Sequence, residues 1–487
     1  MPNLKMNYIM NVAYQLLLVA LPLITTPYLS RVLGATGVGT YSYTYSIANY
    51  FVLLSVLGRS RYANRLIAKE RDDTNKLTKA FSEVIMMQML TGIVAFVAYA
   101  LFIAVAPLSN KSTYVLWLPL VGSSVLDITW LFFGLEEFKT TVTRNFIIKL
   151  GMLLFTFIFV QSSTDLWIYI LINSVGTFLS QAYLWFMLRG RVKFSKPTFR
   201  AVLKHLPPNL TLFLPSIATI LYNGTDKVLL GLIAGTEQVG YYEYADKIAN
   251  VPLALITALG TVMLPRMTNT LSRGNSVKFF EYLEDSVQCS LFLAFGLAAG
   301  IAAISPVFLP IFLGANFTES ILISQILAFK IIPIAMTNVI GNQILLPSGK
   351  DKQYTISVFI GAFVNIVVNI ALIPAFQAIG AALGTLIAEI AVLIYQLFVA
   401  QGRIPVLTCI RYSIVFTFAA VVMATCMQFI ANSINNNILS VIFQFLTGCS
   451  IYATISFAYM HLTKSRILQG ALSSLKTLIN RLKFKQI

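Results

Sequence analysis

Residues 38–49 read VGTYSYTYSIAN, and residues 239–250 read VGYYEYADKIAN. Shifting the chain by 201 positions superposes Val38, Gly39, Tyr41, Tyr43, Ile47, Ala48 and Asn49 on Val239, Gly240, Tyr242, Tyr244, Ile248, Ala249 and Asn250. Just upstream, LPLITT at 21–26 resembles LPSIAT at 214–219, and SRVLG at 30–34 resembles DKVLLG at 226–231 with small gaps. A repeated phrase with matching flanks marks an internal duplication. How the two copies are oriented depends on how many elements lie between them.

Hydropathy supplies that count. Of 487 residues, 57% are hydrophobic and 11% charged, where a soluble chain carries roughly a quarter charged residues. Runs such as TGIVAFVAYALFIAVAPL and VFIGAFVNIVVNIALIPAF reach the roughly 20 apolar residues that a helix needs to cross a bilayer. Fourteen such spans are expected, at about 7–30, 38–58, 80–107, 113–133, 145–162, 165–188, 206–234, 237–262, 284–313, 320–346, 353–373, 378–401, 408–431 and 437–462. The repeated unit begins at span 1 in one copy and at span 7 in the other. An even number of spans between them means that both copies run in the same direction, as parallel repeats about an axis along the membrane normal.

The expected fold is therefore an all-α polytopic membrane protein of about fourteen transmembrane helices. Residues 1–190 form an N-terminal lobe of six helices, 191–402 a C-terminal lobe of six, 403–463 two further helices and 464–487 a cytoplasmic tail. Two lobes of equal orientation enclose a cavity that can face either side, which is the geometry of alternating access.

The net charge of +17 invites a nucleic-acid reading, and its distribution excludes it. With both termini in the cytoplasm, most Lys and Arg fall on cytoplasmic segments and only Arg31 and Lys111 on outer ones, the asymmetry of the positive-inside rule. The stretches 59–80 and 188–206 are basic, and each is expected to hold a short interfacial helix. In the tail, Leu472, Leu475, Leu478, Ile479 and Leu482 share one helix face while Lys476, Arg481, Lys483 and Lys485 lie elsewhere. That pattern suits an amphipathic helix on the anionic inner leaflet. The first apolar run lacks the short core and cleavage site of a secretory signal. Cys289, Cys409, Cys426 and Cys449 form no CxxC and read as small apolar fillers.

Ionisable groups at bilayer depth are costly and mark a bundle interior or a wet cavity. Asp246 and Lys247 come out about 14 Å below the outer end of span 8, and Lys330 and Glu389 about 15 Å below the ends of spans 10 and 12. Asp226 and Lys227 lie in the outer half of span 7, after the Asn-Gly of YNGTDK. In the first lobe the matching depths are nearly uncharged, with Arg31 at the outer end of span 1 and Asp127 in span 4. Neighbours in sequence point about 100° apart on a helix, so Asp246 and Lys247 do not face each other, whereas Glu243 shares a face with Lys247. Asp246 then needs a partner from another helix, with Lys227 or Lys330 as candidates. Such a cluster fixes packing, or its cations hold an anionic substrate group while its carboxylates bind a coupling H⁺ or Na⁺. Tyr41 and Tyr45 share a face near the outer end of span 2, either as interfacial anchors or as flat, hydroxyl-bearing surfaces suited to sugars.

No catalytic constellation stands out. His205 and His461 have no metal-ligand spacing, and PSGKD at 347–351 lacks the upstream glycine and following Ser/Thr of a phosphate loop. The chain reads as a transporter rather than an enzyme, with no cofactor, driven by an ion gradient, membrane potential or mass action.

The runs ITTPYLSRVLGATGVGTYSYTYSIANYF and DKVLLGLIAGTEQVGYYEYADKIAN, with VMLPRM closing span 8, resemble the polysaccharide repeat-unit flippases. Their superfamily also holds the multidrug and toxin extrusion antiporters and the lipid II flippases. The resemblance covers essentially the whole chain. It implies two six-helix lobes in a V-shape with two extra helices, in the bacterial plasma membrane. It also implies movement of undecaprenyl-diphosphate-linked oligosaccharide from the inner to the outer leaflet, coupled to a cation gradient. Basic cavity residues hold the diphosphate in such proteins, and Arg31, in the matching SR pair, is carried over by motif, with Lys227 at the similar place in the second repeat. Lys247 and Lys330 join them by depth, and Asp226, Asp246, Glu389 and Asp127 are expected as counter-charges or cation sites. Expected partners are the lipid-linked oligosaccharide and membrane lipids, with a polysaccharide polymerase and glycosyltransferases as neighbours in synthesis. The rival readings are a drug or metabolite antiporter or a lipid II flippase of the same superfamily, and, from another class, a membrane glycosyl polymerase. A polymerase would need a large outer loop with acids or arginines, and the outer loops here are short and almost uncharged.

Overall fold

A computed structural model describes the backbone of residues 4–470, and side chains there except at 4–20, 212 and 214–223. The amphipathic tail expected at 471–487 lies outside the described residues. Among the described residues the chain is helical throughout its ordered elements and has no strand.

Among the described residues, ten helical segments are long and apolar enough to cross a membrane on their own. One of them, Asp351–Val399, breaks at Gln377 (φ 51°) a turn after Pro374 and so carries spans 11 and 12. Leu4–Val56 breaks at Gly34 and carries spans 1 and 2, and Leu206–Ala234 is span 7. The total is the expected fourteen, and the protein is a multi-pass membrane protein. Several helices extend beyond their expected ends. Span 3 begins at Thr74 because the Asp73 carboxylate accepts from the free amides of Asn75 and Lys76, a cap that hydropathy does not register. Short helices at Arg59–Glu70 and Phe199–Leu203 occupy the two basic connectors.

The structure divides into two compact units with the boundary after Gly240. Within the first, the duplication is visible in the backbone. Gly34 (φ 66°, ψ −179°) separates spans 1 and 2, and Gly235 (φ 90°, ψ 168°), 201 positions later, separates spans 7 and 8. Both need a positive φ that a side chain resists. Beyond these breaks the helices cross reciprocally. A Cβ on Gly39 would collide with the backbone oxygen of Thr236, and one on Gly240 with that of Ala35. Ala35 and Thr236 are themselves equivalent positions, so the two duplicated glycines make the same contact from opposite sides. Small residues at a helix crossing let backbones approach where lipid gives no hydrophobic drive to pack.

Span 4 shows how the fold tolerates a break. Its helices Leu118–Leu126 and Thr129–Gly134 are interrupted at Asp127, which is extended. Carbonyls freed in hydrocarbon must be satisfied by protein, and the buried Gln88 amide donates to Val125 O at 2.7 Å and Asp127 O at 3.0 Å. Gln88 is itself oriented by Trp130, whose indole N–H donates to Oε1 at 3.0 Å.

Gly39→Ala and Gly240→Ala should each destabilise the purified protein by about 1–3 kcal/mol through overpacking. Gly151→Ala, where an added Cβ meets nothing within 4 Å, should be neutral or mildly stabilising. Thermal unfolding in detergent checks this, and equal melting temperatures for all three would refute the crossing.

Candidate functional site

One charge of the second unit, Lys330, sits where a proline interrupts a helix. Pro333 lacks an N–H and cannot bond the carbonyl four residues back, and the helix divides at Lys330, between Glu319–Phe329 and Ile331–Val339. Lys330 is buried, and its Nζ stands 2.5 Å from Asp246 Oδ1 on span 8. Lys330, one of the two candidate partners for Asp246, is in contact with it.

One face over on span 8, Lys247 pairs with Glu243 at 3.0 Å across a single helical turn. Its ammonium also lies 5.1 Å from the Tyr244 ring centroid, a cation–π arrangement. Glu243 is buried, whereas Lys247 is exposed. Neighbouring tyrosines hold the helix in register. Tyr242 OH bonds Thr385 Oγ1 at 2.9 Å, and Ser320 Oγ donates to Tyr241 O at 3.0 Å. Glu389 is buried on span 12. The result is two acid–base pairs on adjoining faces, one enclosed and one with its cation open.

In the first unit the equivalent stretch carries rings. Tyr41 and Tyr45 stack with centroids 6.0 Å apart and planes within 2°, and both lie against Trp117 at 5.2 and 5.3 Å. Trp117 donates to Thr44 Oγ1 at 3.0 Å, and Tyr169 closes on Tyr41 at 4.6 Å. Tyr45 keeps an exposed face. Arg31 is exposed, with Nη1 donating to Pro27 O at 2.6 Å, a carbonyl on its own helix. Asp226 is buried and Lys227 partly exposed, beside Thr225, which bonds Tyr50 OH at 3.2 Å. Asp127 Oδ1 accepts from Thr129 N at 3.0 Å and so caps the resumed helix.

Several buried polar groups were not foreseen. Arg59 is 1% exposed, with Nη1 donating to Ser55 O at 3.2 Å and Nη2 to Ser124 O at 3.4 Å. Burial pulls its guanidinium down to about 10, with Asp127 opposing the change, so it stays charged at neutral pH. Arg144 is buried against Gln181 and Ser180 O, both at 3.2 Å. Glu83 and His205 are buried together. The first unit is thus less bare of charge than its mid-depth residues suggest. The available signal was a lone carboxylate and Gln88 inside the apolar run FSEVIMMQML. Among the described residues no group of His, Cys, Asp and Glu could hold a metal ion, and the four cysteines are free.

A family profile described as polysaccharide biosynthesis protein matches residues 4–271. The chain is 25% identical over 374 residues to the "Putative O-antigen transporter" of Escherichia coli K12, covering 76% of this chain and 90% of that one. It is 30% identical over 155 residues to the lipid II flippase MurJ of Bacillus subtilis, covering 31% of this chain and 28% of that one. Among solved structures, the lipid II flippase MurJ in an inward closed conformation superposes with a TM-score of 0.74 at 17% identity, covering 94% of this chain and 99% of the other. At that identity the likeness concerns the fold.

Lys330→Met leaves a largely buried Asp246 without its partner, and should cost about 3 kcal/mol, since breaking a buried pair strands a charge. Adding Asp246→Asn should recover at least about 1 kcal/mol of that loss. Strictly additive melting shifts in the double-mutant cycle would refute the coupling.

Proposed function

The chain belongs to the polysaccharide biosynthesis protein family, and on that premise we propose that it is a flippase for lipid-linked oligosaccharide repeat units. The observation that carries the proposal is the match to the Escherichia coli relative along nine-tenths of that relative's length. The intramembrane charges and rings supply a chemistry that fits it. The lipid II reading has less support, because the Bacillus subtilis relative matches only 31% of this chain.

In this reading the substrate is an undecaprenyl-diphosphate-linked oligosaccharide that passes from the inner to the outer leaflet of the bacterial plasma membrane for capsule or exopolysaccharide synthesis. Glycosyltransferases supply it and a polymerase consumes it. The two six-helix lobes rock about a cavity while the lipid tail stays in the bilayer, and no bond in the substrate is made or broken. Lys247 is the foremost diphosphate ligand. Its ammonium is exposed at bilayer depth, where an exposed cation belongs in a wet cavity rather than in lipid. Arg31, Lys227 and Lys330 are further anion-attracting positions, and the Tyr41–Tyr45 stack offers sugar faces a flat surface. Glu243 holds Lys247 until the diphosphate competes for it. Asp246, Asp226, Glu389 and Asp127 are the counter-charges, through which a H⁺ or Na⁺ gradient drives the cycle without a cofactor.

Depletion of the protein should make lipid-linked repeat units accumulate with their glycans on the cytoplasmic leaflet, beyond reach of a glycosidase added to spheroplasts. Units that remain cleavable from outside would overturn the flippase reading. Lys247→Gln should lower translocation about tenfold, the equivalent of one charge-assisted hydrogen bond.

A further inference from the structure

The short helix Arg59–Glu70, span 3 and the start of span 7 meet at titratable side chains that the transport reading does not use. His205 is 2% exposed and directly precedes Leu206–Ala234, where Pro207 and Pro208 in the first turn fix the start of the helix. Its Nε2 stands 2.8 Å from Glu83 Oε2 on span 3, and its Nδ1 2.6 Å from the Tyr62 hydroxyl on the short helix. Lys204 reaches the same Glu83 oxygen at 3.0 Å. Glu83 Oε1 is buried with no hydrogen-bond partner among the described residues.

This arrangement can accept one more proton without moving a heavy atom. With a neutral imidazole, Nε2–H donates to Glu83 and Nδ1 accepts the Tyr62 O–H. With an imidazolium, Nε2–H still donates to Glu83, and Nδ1–H donates to the Tyr62 oxygen. Only the phenol hydrogen turns. The Glu83–His205 hydrogen bond then becomes an ion pair, stronger for being screened from water. Histidine is the side chain suited to such a change between about pH 5 and 8.

Protons have a route. A pocket of about 490 Å³ lined by Tyr62, Arg65, Leu66, Lys69, Pro208 and Thr211 opens beside the phenol. The nearest charged groups that the structure shows are Arg65 and Lys69, which line the pocket beside Tyr62 with Glu70 paired to Lys69, and Lys204 at Glu83; on their own helices Lys79 lies one turn before Glu83 and Arg200 one turn before Lys204. Glu83 is the carboxylate that His205 and Lys204 both reach.

We propose that Glu83, His205 and Tyr62 form a proton-binding site, in which a proton on His205 tightens the hold of span 7 on span 3 and its release loosens it. The site is independent of what the protein carries, so its test needs no substrate. The sequence has two histidines, and His461→Gln leaves His205 as the sole one. In nanodiscs, the ¹³C-histidine NMR signal, followed from about pH 5 to 8.5, should shift as the site takes up its proton. Glu83→Gln should displace that titration to lower pH, and Tyr62→Phe should alter the Nδ1 signature. A signal that is constant over this range, or that is indifferent to both substitutions, would overturn the proposal. Hydrogen–deuterium exchange, corrected for its intrinsic pH dependence, supplies a second readout at residues 199–211. Exchange should be faster at about pH 8 than at about pH 6 in the parent protein, and equal at both in His205→Gln. Equal rates in the parent would refute the tightening.

Discussion

Hydrocarbon offers no water to an unpaired backbone group, and every interruption of a helix in this chain has to be made good by a side chain or placed where nothing is lost. Asp127 marks such a place: the carbonyls around the break are met by Gln88, and Gln88 is aimed by Trp130. Pro333 sets another. By dividing span 10 it puts Lys330 at a turn from which its ammonium reaches Asp246. Gly34 and Gly235 are gentler cases, where a positive φ ends one helix and starts the next without a bulky side chain in the way. The same rule that forces the chain to be helical thus decides where it can stop being so.

The placement of Lys330 follows from one of those breaks. An ion held away from water needs a partner and more than one hydrogen bond to be tolerated, and the acids and bases of span 8 are arranged in pairs accordingly. The corresponding helix of the first copy meets the same requirement by avoiding it. Tyr45 and Ser46 stand where the second copy has Asp246 and Lys247, and Tyr45 stacks on Tyr41 and Trp117. Equivalent positions on equivalent helices carry different chemistry, while the glycines that shape those helices are retained in both.

Much of this was legible in the residues. The duplication and the number of spans follow from a repeated phrase and from hydropathy, and the Glu243–Lys247 contact follows from helical spacing alone. That Lys330 meets Asp246 did not follow, since it depends on how distant helices pack. The buried residues of the first unit escaped for a different reason. Hydropathy starts span 3 near residue 80, which puts Glu83 in a fraying first turn. The Asp73 cap starts it at Thr74, and Glu83 is then well inside a packed helix. Arg59 and His205 border basic connectors and read as solvated, although the chain folds back over both.

The reciprocal contact of Gly39 and Gly240 carries one more consequence. Had the two halves been separate copies of one shorter chain joined by a twofold axis, every substitution would be made on both sides at once. An acidic group near the axis would then always confront its own image. Joined in a single polypeptide, each half can change alone. A lysine can enter one copy without a second lysine opposing it. The covalent link between the repeats frees their chemistry to diverge while the glycine crossing within the first unit keeps its symmetry.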